Sequence, residues 1–83
     1  MNRDIFNRTE AQARVIFSVH HPEATISLID GIWVARWMSR ATIRRQHDDL
    51  IKPYAAFAAI NRKGEVVSNG TRFDTIRLAK GLQ

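Results

Sequence analysis

The residues of this sequence that could do chemistry are mostly cations. Arg36, Arg40, Arg44, Arg45 and His47 fall within twelve residues, and no acid occurs between Gly31 and His47. Arginine supplies ten of the thirteen Lys and Arg, which against eight Asp and Glu leave a formal net charge of +5 in 83 residues. The planar guanidinium forms paired hydrogen bonds to phosphate or carboxylate, whereas the lysine ammonium acts as a mobile point charge. Each phosphate that such a cluster neutralises releases counterions, so binding to nucleic acid would be sensitive to salt. Arg36, Arg40 and Arg44 are spaced by four. They share a face on a continuous helix, and their even spacing also puts them on one face of a strand. The plain alternative is a solvated helix face.

Other residues invite chemistry less strongly. Trp33 and Trp37 could stack on the exposed bases of a single strand, as aromatic platforms do beside basic grooves. On a strand, however, both share a face with Ala35 and oppose Arg36, the pattern of an inward apolar face and an outward charged one. His20 and His21, with Glu23, are adjacent residues at a helix end that point in different directions, and no further ligand set accompanies them. His47-Asp48-Asp49 looks catalytic, but a hydrolase would need a nucleophile or metal with correctly placed partners, which spacing in sequence does not show, and a polar helix face is the plain alternative. There is no cysteine, which excludes a disulfide framework, a thiolate metal site and a thiol nucleophile. No phosphate-binding glycine loop, nucleophile elbow or dinucleotide fingerprint occurs. The expectation is a binding protein with no catalytic residues, no metal and no cofactor.

The elements that must position these residues follow from turn chemistry and periodicity. Thr9-Glu10-Ala11-Gln12 has capping-box spacing and opens a helix from about Thr9 to His20, with Ala13, Ile16, Phe17 and His20 as a stripe and Pro22 as the stop. Thr25–Ile29 and Ile32–Trp37 flank Asp30-Gly31, a strong signal for a two-residue β-hairpin. Ser39–Lys52 reads as a second, central helix, with Ser39 as N-cap, Ile43, Leu50 and Ile51 on one side, and Pro53 closing it. Arg36 then ends a strand while Arg40 and Arg44 lie on that helix. Tyr54–Asn61 reads as a buried strand, Arg62-Lys63-Gly64 as a turn, and Glu65–Ser68 as the returning strand. Residues 71–80 fit either a further hairpin strand or a helix holding Phe73, Ile76 and Ala79. Lys80 and Gly81 at its end favour the helix. The expected fold is one α+β domain spanning residues 1–83, a small antiparallel sheet of hairpins packed against an N-terminal helix.

Ser39-Arg40-Ala41-Thr42-Ile43-Arg44-Arg45, with Leu50 beyond, resembles the recognition helix of bacterial winged helix-turn-helix regulators. The resemblance covers about a third of the chain. It implies that Ser39, Arg40, Thr42, Arg44 and Arg45 lie near the major groove, and that Tyr54–Ser68 forms a wing placing Arg62 and Lys63 on phosphates. The expected function is nucleic-acid binding, DNA favoured over RNA, with Arg36, Arg40, Thr42, Arg44, Arg45, Arg62 and Lys63 as its residues. The alternative is a protein-interaction module, such as a small phage- or plasmid-type regulator or inhibitor, docking its arginines on an acidic protein surface. The longest apolar run, Tyr54 to Ile60, is too short to span a bilayer and the amino terminus lacks a secretory apolar stretch. A cytoplasmic protein without a membrane partner is expected.

Overall fold

The structure, a computed structural model, describes residues 8–44 and 49–81. Its elements are α1 (Glu10–Ser18), β1 (Thr25–Ile29), β2 (Ile32–Arg44), β3 (Asp49–Ile60), β4 (Val66–Val67) and α2 (Arg72–Lys80). The four strands form one antiparallel meander in the order β1-β2-β3-β4. The fold is α+β, with the N-terminal helix packed on the sheet.

Local chemistry sets most of the boundaries. Thr9 and Gln12 form the expected capping box: the Gln12 N–H donates to Thr9 Oγ1 at 3.2 Å, and the Thr9 N–H donates to Gln12 Oε1 at 2.9 Å. Asp30 and Gly31 both take positive φ, +53° and +77°. Their turn sets Ile29 opposite Ile32, the geometry of a primed two-residue turn that matches strand twist. At the carboxyl end the ambiguity resolves as helix. Thr71 caps α2 by accepting from the Asp74 N–H at 3.1 Å, and Gly81, at φ +83°, donates back to the last-turn carbonyls of Arg77 and Leu78.

The central segment differs from the expectation of a helix over Ser39–Lys52. Ser39 to Arg44 complete β2, and Asp49 to Lys52 open β3. Pro53 closes no helix but sits within β3 opposite Arg40. Strand pairing decides this, since β2 and β3 pair continuously from Val34↔Ala59 to Arg44↔Asp49. The helix on which the winged helix-turn-helix resemblance depends is therefore absent from the described part of that segment.

The strand period of two sorts the sheet into two faces. Ala35, Ala58 and Ile60 meet Ala13 and Phe17 of α1, with Ile26, Trp33 and Trp37 at the margin. Ile32, Val34 and Ala59 meet Ile76 and Ala79 of α2, bordered by Ile29, Phe57 and Val67. The two helices thus lie on opposite faces of the sheet, and alanines where they meet it allow close approach. Thr75 is fully buried, and its hydroxyl accepts the Asn69 N–H at 3.0 Å. Among the described residues no buried side-chain polar atom lacks a partner.

Candidate nucleic-acid interface

The β2–β3 pair is much longer than the strands that flank it. β1 pairs with β2 only as far as Thr25↔Arg36, and β4 pairs with β3 only at Ala59 and Ile60. From Met38↔Ala55 outward to Arg44↔Asp49, seven further residue pairs continue as a two-stranded ribbon. At about 3.3 Å per residue this arm reaches some 20–25 Å from the body. The molecule accordingly measures 58 × 28 × 16 Å. Its radius of gyration is 14.8 Å, against about 12 Å for a compact chain of this length.

A lone hairpin of this kind is marginal in water. Here both strands run directly out of the core, where Ala35 and Ala58 are paired and buried, so the body fixes the register of the arm. Two features keep the arm from recruiting another strand. Pro53 lacks an N–H on the β3 side, and the charged residues Lys52 and Arg40 lie along the ribbon.

The same period sorts the arm. Arg36, Met38 and Arg40 share the face that continues from Val34, and across from them stand Phe57, Ala55 and Pro53. The Arg36 guanidinium reaches the Met38 sulfur at 3.9 Å, so these side chains lie together. Arg36 and Arg40 are both exposed. Four residues along a strand separate them by about 13 Å, so they address separate groups rather than converging on one. Thr42 and Arg44 continue the same alternate positions along the backbone of β2, at Thr42↔Ile51 and Arg44↔Asp49. Arg45 and His47 lie outside the described residues. Arg36 therefore sits within a strand rather than at its end, and Arg40, Thr42 and Arg44 belong to that strand rather than to a helix.

The fold does not bring Arg62 and Lys63 to this group. Both are exposed on the turn between β3 and β4, where Asn61 Oδ1 accepts from the N–H groups of Lys63 and Glu65 at 3.0 and 2.9 Å. That turn lies nine residues from Pro53 along the chain, roughly 30 Å from Arg40. Arg8, which no motif in the sequence marks, comes to the same end of the body. A β-carbon at Gly64 would approach its Nη2 to 2.9 Å. Lys80 lines a shallow cleft with Arg62 and Lys63 and pairs with Asp30 at 3.6 Å. Only proximity across the fold could have revealed this second group.

Trp33 and Trp37 face α1 and pack against the core. The Trp33 indole N–H donates to the Arg8 carbonyl at 2.6 Å. The His21 ring stacks on Trp37, with centroids 3.6 Å apart and planes inclined by 19°, so His21 covers the indole at the root of the arm. Among the described residues no group of three or more His, Cys, Asp or Glu could hold a metal, and no helix is long and apolar enough to cross a membrane. No family model, no curated protein and no solved structure matches the chain.

Proposed function

We propose that this protein binds nucleic acid, duplex DNA before RNA, by laying the β2–β3 arm against the phosphate backbone. The observation that carries the reading is the placement of exposed Arg40 on a ribbon that projects from the body, on the face that also carries exposed Arg36 at its root. Residues 36–56 hold five cations and two carboxylates, a net +3 of the chain's +5. Strands and β-ribbons are accepted by either groove of B-DNA, whereas side chains cannot read the deep, narrow major groove of A-form RNA. Arg40 and Arg44 act from the β2 strand of the arm, with Thr42 between them in the strand and Arg36 at its root, and Arg45 joins them by its place in the sequence. Arg62 and Lys63 form a separate, weaker contact at the far end of the body. No catalytic step is assigned. A cytoplasmic location accords with a cysteine-free chain of this kind.

The test is a gel-shift titration with DNA and RNA duplexes at two salt concentrations, comparing the protein with an Arg40→Ala/Arg44→Ala/Arg45→Ala variant. The variant should bind more weakly, and its slope of log affinity against log salt should fall by about 0.9 for each phosphate no longer neutralised. Unchanged affinity and slope would remove the arm from the interface. The exposed apolar residues Met38, Ile51 and Tyr54 on the arm favour a second reading, in which the arm docks on an acidic protein surface. That reading requires one stoichiometric protein partner and no affinity for nucleic acid at moderate salt.

A further inference from the structure

The arginine face of the arm is not purely basic. Met38 is 57% exposed and Ile51 60% exposed, although neither is needed to build either core. Pro53, also exposed, stands opposite Arg40, and Ile51 stands opposite Thr42 on the next pair along this face. Apolar side chains therefore alternate with Arg36 and Arg40 on one surface. A surface that only neutralised phosphates would gain nothing from exposing them, and an apolar protein groove would have to bury the guanidinium groups between them. A minor groove opened at its base steps accommodates both. Guanidinium groups enter narrow, electronegative minor grooves, and Met, Ile and Pro are among the side chains that wedge between base pairs and kink the duplex. The proline ring, with its fixed φ, makes a stiff wedge.

Resting on the nucleic-acid reading above, we infer that the arm enters the minor groove of duplex DNA and bends it, with Met38, Pro53 and Ile51, spaced along one face of the arm, wedging at separate base steps beside Arg36 and Arg40. Flexible pyrimidine–purine steps deform most easily, so a TA step is the favoured site. The minor groove separates A·T from G·C but little else, so the protein selects deformable A·T-rich DNA rather than a defined sequence.

The experiment measures energy transfer between dyes at the two ends of a duplex of about 30 base pairs with a central TA step, alongside gel-shift affinity on the same DNA. The intact protein should raise the transfer efficiency on binding. A Met38→Ala/Ile51→Ala variant, and separately Pro53→Ala, should still bind with the same salt slope, while the transfer falls back toward that of free DNA and the preference for TA over GG steps disappears. Circular dichroism checks that the variants are folded. Tight binding of the intact protein without any rise in transfer, or a full rise with the Met38→Ala/Ile51→Ala variant, overturns the inference and leaves the nucleic-acid reading standing. Failure of the intact protein to bind any duplex overturns both.

Discussion

Single residues show where local reasoning reaches and where it stops. The Thr9–Gln12 capping box and the Asp30-Gly31 turn were legible because each is specified by neighbours within four positions, and both stand in the structure. The inward placing of Trp33, Ala35 and Trp37 was legible too, from the period of two. Nothing in the sequence marked Thr75, whose hydroxyl is buried beneath α2 and holds the Asn69 N–H. A Thr75→Val substitution keeps the shape and leaves that N–H without its acceptor. It should cost about 1–3 kcal/mol in urea unfolding, whereas Thr71→Val removes a cap on the surface and should cost nearer ~1 kcal/mol. Equal losses at the two positions would show that the Asn69 bond carries no weight. The Arg62 and Lys63 turn lies too far from Arg40 to share a phosphate, so alanine changes in the two groups should add in their effect on affinity.

Among the elements, the Ser39–Lys52 segment departs furthest from its local signals. Strands are recognised when one face is buried, because burial imposes alternating polarity. Beyond Met38 no described side chain of β2, nor of β3 opposite it, joins either helix-covered core, so the alternation that betrays a strand was not imposed on them. Ser39 resembled an N-cap, Pro53 resembled a stop, and a spacing of four between Arg36, Arg40 and Arg44 serves a helix and a strand equally. The pairing that settles the matter joins residues up to 25 positions apart, as at Val34↔Ala59. The β1–β2 turn tests how strongly local geometry contributes. A β-carbon at Gly31 would meet nothing within 4 Å, so Gly31→Ala isolates the backbone cost of a residue at φ +77° and should lower stability by about 1–2 kcal/mol. A neutral result would mean that the turn readily adopts another form.

The division of the protein into body and arm makes a direct prediction. Among the residues whose side chains are described, neither core cluster contains one between Ser39 and Tyr54. Removing residues 39–54 and joining Met38 to Ala55 through Asn-Gly should leave a folded body whose melting temperature moves by no more than a few degrees. The same excision takes away four cations and two carboxylates and should abolish nucleic-acid binding. A body that unfolds would show that the arm contributes to the core. The buried pair Ala35 and Ala58 sets the phase of everything beyond it. Lengthening both strands by one residue at the root would rotate the distal arginines onto the opposite surface, whereas lengthening by two would carry the same surface further out. The reach of this protein can therefore change only in even steps without changing what it presents at the end of that reach.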